Sequence, residues 1–168
     1  RKAGFLVEHY IISSGMREII KSTSIADEFK RIYACRYYYD ETHTATWPAQ
    51  VVNYTAKTQY IFRINKQVLD VNDDADLNKY VPQTERPIPF ERMIYIADGL
   101  TDVPCMRLVK EYGGKSIAVY SSNNAVAKSL KDVGRVNYIA KADYSSGSEM
   151  EQIVQSILDH MKADEVLK

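Results

Sequence analysis

Met93-Ile94-Tyr95-Ile96-Ala97-Asp98-Gly99-Leu100-Thr101-Asp102 is the stretch on which the fold turns. Its first five residues, largely apolar and uncharged, read as a strand buried on both faces, the kind found in parallel sheets. Asp98-Gly99 closes that strand, Thr101 can cap the helix that follows, and Pro104 is tolerable in its first turn. Gly113-Gly114 stops the helix, 116–120 reads as another apolar strand, a helix follows near 125–132, and a short strand lies at 136–140. Ser148 and Glu151 have capping-box spacing. They open a helix whose apolar stripe, Met150, Ile153, Val154, Ile157, Leu158 and Met161, should pack on one face of the sheet. Strands and helices alternate, which predicts an α/β fold with a mostly parallel sheet.

The alternation continues upstream. Tyr10-Ile11-Ile12 forms a buried run in a strand at 9–13, and Ser13-Ser14-Gly15 turns into a helix at 16–21. Ser24-Ile25-Ala26-Asp27 offers a further short helical start. Residues 33–40 are rich in β-formers and end in Asp40-Glu41-Thr42-His43; 44–49 then returns as the second arm of a hairpin, with Trp47-Pro48 expected to anchor it. Helical periodicity resumes at Thr55, with Tyr60, Ile61, Ile64 and Val68 on one face. Residues 71–89 are polar, acidic and then proline-bearing, a long connection with room for one short helix. No internal repeat, linker or low-complexity tract appears, so a single domain is expected over 1–168.

At 168 residues the chain can bury a real core. Lysine plus arginine equal aspartate plus glutamate at 22 each. No global basic field exists to hold nucleic acid or an anionic membrane, so an anion site must be local. Cys35 and Cys105 fit no metal or redox spacing, which predicts free thiols in a reducing cytoplasm. No apolar run approaches transmembrane length. The chain begins at Arg1 rather than methionine, as expected of a piece from which residues have been removed.

Three groups carry chemistry. In open α/β sheets ligands sit beyond the carboxyl ends of strands. Ser13-Ser14-Gly15 offers a hydroxyl and backbone amides at such a point, a phosphate cradle or an ordinary N-cap. Lys57 falls in the first turn of the helix from Thr55, where a cation opposes the dipole by on the order of 0.3–1 kcal/mol. A bound anion would offset that; a solvated surface lysine is the alternative. Asp98 and Asp102, four apart at a strand end and helix start, can converge on one hard cation such as magnesium, or simply favour a helix's first turn. Gly99 lets the backbone turn where a side chain would obstruct. His9, His43 and His160 are scattered and take no role. Tyr37-Tyr38-Tyr39 reads either as a half-buried hairpin or as a substrate entrance or protein interface.

In this order and these strand contexts, the three groups resemble the haloacid dehalogenase (HAD) superfamily, most closely its phosphoserine-phosphatase-like branch. Tyr10-Ile11-Ile12-Ser13-Ser14-Gly15 looks like the second motif, Ala56-Lys57-Thr58 like the third, and Asp98-Gly99-Leu100-Thr101-Asp102 like the fourth. The hairpin before the lysine helix matches that branch as well, and the resemblance runs from about Tyr10 to Tyr120. It implies a HAD-like (Rossmannoid) three-layer fold with a β-hairpin insertion, and magnesium-dependent hydrolysis of a small phosphorylated metabolite through an aspartyl-phosphate. Ser13, Ser14, Gly15 and Lys57 would bind phosphate, Asp98 and Asp102 the metal, with Gly99 and Thr101 in support. Ser13, Lys57 and Asp98 would be the catalytic residues.

Two features depart from the family pattern. Ala97 stands where a glycine is usual before the metal aspartate. More seriously, no strand followed by Asp-x-Asp-x-Thr occurs, so the nucleophile, its central strand and the helical cap that selects substrate are missing. The resemblance places that strand between those ending at Ser13 and Asp98, leaving two unpaired inner edges. Completion by another chain, a rearranged or swapped homodimer, or unstable material is therefore expected. The chain alone should show little or no turnover. A non-catalytic HAD-like phosphate- or protein-binding module is the rival; a receiver-like signalling domain has the acidic residues and lysine in the opposite chain order.

Overall fold

The computed structural model describes residues 6–166. The fold is mixed α/β with two three-stranded sheets, one of them all parallel, and six α-helices among the described residues. The described residues cluster into two compact units: residues 6–64 with 68–77, and residues 65–67 with 78–166.

Unit 1 holds β1 (His9–Met16), α1 (Arg17–Lys21), β2 (Phe29–Tyr39), β3 (Ala45–Gln50), most of α2 (Lys57–Lys66), and α3 (Asp74–Asn78) to its fourth residue. β1 pairs parallel with β2, and β2 antiparallel with β3. The hairpin is as expected, and Asp40 explains its turn: one carboxylate oxygen accepts the amides of Thr42 and Thr44, both at 2.9 Å. That leaves His43 at φ 60°. The core of unit 1 contains Tyr33, Ala34, Val52, Tyr60 and Ile61, with Tyr33 and Tyr60 stacked at 4.5 Å between centroids. Tyr60, Ile61 and Ile64 are buried as the helical periodicity predicts.

Three expectations in unit 1 need correction. β1 runs on through Ser13-Ser14-Gly15 to Met16, with a register irregularity between Ile12 and Met16, so these residues lie in the strand rather than at a helix start. α1 opens at Arg17, and Met16 before it makes no side-chain cap. Trp47 does not anchor the hairpin; it is 73% exposed, opposite the exposed Tyr38. Tyr37 and Tyr39, on the other face of the strand, are 43% and 40% exposed, so each keeps less than half of its surface in water.

Unit 2 is built on β4 (Ile94–Ala97), β5 (Lys115–Tyr120) and β6 (Tyr138–Lys141), all parallel in the order β4-β5-β6. Alternation along β5 sends Ala118 into one cluster with Val103 and Met106 of α4 (Val103–Glu111) and Ala127 and Leu130 of α5 (Ala125–Asp132). Ile117 and Val119 face the other way, onto Met150 and Ile157 of α6 (Glu149–Val166). Unit 2 is thus a three-layer arrangement. The amide of Glu151 donates to Ser148 Oγ at 3.2 Å, the predicted cap, while the Glu151 carboxylate turns back to the Gly147 amide. α4 ends as expected at Gly113, φ 91°, with the Gly114 amide on the carbonyl of Val109 at 2.9 Å.

In the first sheet β1 is an edge strand, and in the second β4 is. A single sheet with one central strand absent is the expectation; two separate sheets are observed, because no described strand pairs with the free side of either edge.

Candidate functional site

The corner after β4 is the most developed part of the site. Asp98 directly follows the strand, is exposed, and has no hydrogen bond or ion pair among the described residues. Gly99 continues extended at φ −107° and ψ 151°, and residues Leu100–Asp102 form a 3₁₀ turn closed by the Asp102 amide on the Gly99 carbonyl at 3.1 Å. That turn brings Asp102 back under the strand, 6% exposed. There Tyr95 Oη donates to Asp102 Oδ1 at 2.7 Å, and Thr101 Oγ1 stands 3.5 Å from Oδ2. A Cβ on Gly99 would lie 3.3 Å from Asp102 Oδ2, so a neighbour would have to yield by a few tenths of an ångström. Thr101 therefore sits inside the turn and does not cap α4, whose preceding residue is Asp102.

The two carboxylates are unlike: Asp98 is open to an incoming cation, whereas Asp102 is buried and oriented by a phenol. Burial, followed by Cys105 and Asp102, pushes the Tyr95 hydroxyl far above the ordinary tyrosine range, so it remains a donor. Sequence patterning missed Tyr95. Its signal was the one hydroxyl in an otherwise apolar strand, seven residues before the aspartate it holds. Among the described residues no cluster of three or more His, Cys, Asp or Glu side chains could hold a metal. A pair is still compatible with magnesium, which keeps several waters and takes one or two carboxylates plus substrate oxygens.

Ser13 and Lys57 belong to unit 1. Ser13 is half-buried near the end of β1, and its Oγ accepts the Gly15 amide at 3.0 Å; Ser14 and Gly15 are exposed. Lys57 is the first residue of α2 and only 5% exposed, which excludes the solvated-surface alternative. The helix start is organised by Asn53, whose Oδ1 accepts the amides of Thr55 at 3.1 Å and Ala56 at 3.0 Å. Asn53 was legible in principle as a cap residue two before Thr55.

The acidic segment after α2 serves another purpose. Arg63 is 1% exposed and donates to the carbonyls of Asp70 (2.5 Å), Val71 (3.0 Å) and Asp73 (3.0 Å) and to the Asp74 carboxylate (2.9 Å). This clamp ties the loop to α2.

Neither cysteine is in a disulfide; Cys35 is half-buried and Cys105 buried. Among the described residues no helix is long and apolar enough to cross a membrane. No protein-family model matches the chain, and no solved structure matches it. The chain is similar to an uncharacterized protein of Borreliella burgdorferi, 30% identical over 161 residues, covering 86% of this chain and 55% of that protein. It thus spans about half the length of the curated relative it matches.

Proposed function

We propose that this chain carries the phosphate- and metal-binding part of a HAD-like, magnesium-dependent phosphate monoester hydrolase working through an aspartyl-phosphate. The observation that carries the reading is the corner after β4: an unpartnered carboxylate, Asp98, at the carboxyl end of an edge strand in an all-parallel sheet, beside a buried second carboxylate held by Tyr95. Ligand sites belong at such strand ends. Asp98 and Asp102 would hold magnesium, which supplies charge neutralisation for phosphoryl oxygens. The Ser13 hydroxyl would donate to a phosphoryl oxygen, and the Lys57 ammonium would neutralise the charge that develops during transfer. The attacking carboxylate is not among these residues. In this reading it arrives on a strand supplied by a second chain or second copy, to which the free edges of β1 and β4 offer unpaired backbone groups. Two cysteines outside any disulfide accord with a cytoplasmic setting.

A second reading, a non-catalytic phosphate- or protein-binding module, is favoured by the use of Asp74 in the Arg63 clamp rather than after a strand. Hydrolysis of an aryl phosphate with magnesium, paired with phosphate-binding measurements, separates the two. The chain alone is expected to turn over nothing above background, and magnesium is expected to add a phosphate-binding event that is lost in Asp98→Asn and weakened in Lys57→Ala. Robust turnover abolished by Asp98→Asn would place the nucleophile within this chain and overturn the division of labour. Phosphate binding with no added component on supplying magnesium, in wild type as in Asp98→Asn, would leave the non-catalytic module.

A further inference from the structure

A polar cavity of about 220 Å³ lies within unit 1, lined by Arg17, Arg31 and Arg36 together with Gln50, Asp70 and Asn72. Arg17 opens α1, while Arg31 and Arg36 come from β2. Three guanidiniums converge on a space that contains one carboxylate, Asp70. Its Oδ1 already accepts the Asn72 amide at 2.9 Å and the Asn72 side-chain nitrogen at 3.2 Å. The lining therefore carries a net charge of two positive (three arginines less one aspartate).

Among the described residues none of the three arginine side chains donates a hydrogen bond or forms an ion pair, and the Nε atoms of Arg17 and Arg36 are buried without a partner. Guanidinium remains charged at any physiological pH, and a buried donor without an acceptor costs about 1–3 kcal/mol or more when charged. Arg63 makes the contrast plain. It too leaves Nε unmet, yet its terminal nitrogens make four bonds to acceptors the chain supplies. Those bonds fix the loop whose residues Asp70, Val71 and Asn72 wall the cavity. One arginine holds the wall, and three face the space behind it with their donors unspent.

We propose that this cavity, lined by neither Ser13 nor Lys57, is an oxyanion-binding site taking a dianion of phosphate or dicarboxylate type. Fork-shaped guanidiniums suit planar carboxylate and tetrahedral phosphate alike, because both present oxygens at the spacing of paired N–H donors. The volume exceeds that of one small ion, since water occupies about 30 Å³ apiece, so ordered waters or the remainder of a larger ligand share it.

The test is a nitrogen-15 titration of the full chain, observing arginine Nε–H signals in the presence of EDTA, with chloride balancing ionic strength. One arm adds inorganic phosphate and the other malonate. Saturable shifts of the Arg17 and Arg36 signals are expected in at least one arm, and the arm that saturates at lower concentration assigns the ligand class. Arg36→Gln should weaken that binding at least tenfold, while Asp98→Asn leaves it unchanged because no metal is involved. The wild-type titration stands even where a variant fails to fold. Signals that move no more with either dianion than with chloride would overturn the proposal, as would an Arg36→Gln variant that folds and binds as wild type.

Discussion

Replacing Arg63 by methionine keeps most of the buried volume and removes every donor, which isolates what the clamp contributes. The ion-pair arm is small: the Asp74 side chain is 76% exposed, so solvent screening reduces it to roughly 0.2–1 kcal/mol. The carbonyl arm is larger. Asp70 is exposed and its carbonyl can return to water, but Val71 and Asp73 are half-buried. Two acceptors left without partners cost about 1–3 kcal/mol each, partly relieved as the loop loosens. The expected loss is roughly 3 kcal/mol, against less than about 1 kcal/mol for Asp74→Asn, which retains an acceptor. Urea unfolding followed by far-ultraviolet circular dichroism reads the difference; at a slope of about 2 kcal/mol/M, Arg63→Met shifts the midpoint by roughly 1.5 M. An Asp74→Asn variant as damaged as Arg63→Met would refute the reasoning, because the ion pair and not the carbonyls would then carry the clamp.

Burial holds the Tyr33 hydroxyl up at about 12 against an ordinary 10.0, so the neutral form is favoured by folding. Its contribution is complete below pH 10 and is lost as pH rises toward 12; ultraviolet titration should show a tyrosine ionising near 12, separate from Tyr95, which is held higher still, and Tyr33→Phe should remove that phase. Gly114→Ala would drive a Cβ into the Phe90 carbonyl oxygen and put it 3.0 Å from that of Met93, backbone atoms that cannot swing aside. A loss of about 1–3 kcal/mol or more in thermal unfolding is expected, whereas Gly147→Ala, with open space around it, pays only for its φ of 81°.

The parallel half of the fold was legible because its strands are short, apolar and closed by signals the backbone obeys. Residues 125–132 are helical as the periodicity indicates, and Gly113-Gly114 ends α4 where glycine is needed. The Asp98–Asp102 corner was legible for the same reason, being local. What escaped was long-range. Nothing near Ser13 in sequence says that β1 will extend to Met16, since pairing with Cys35 of β2 decides it. Lys57 reads as a surface residue until the tertiary structure buries it. Arg17 comes from α1 and Arg31 and Arg36 from β2, and only the fold, with the loop at 70–72, sets them around one cavity.

The chain has one tryptophan, and the hairpin holds it out in water. An indole in that position emits at long wavelength, and any body that settles on the hairpin tip will move the emission to the blue. The molecule thus arrives with its own optical probe at one address: contact there can be followed at low concentration, in real time and without a label, while events elsewhere in the protein leave the spectrum still.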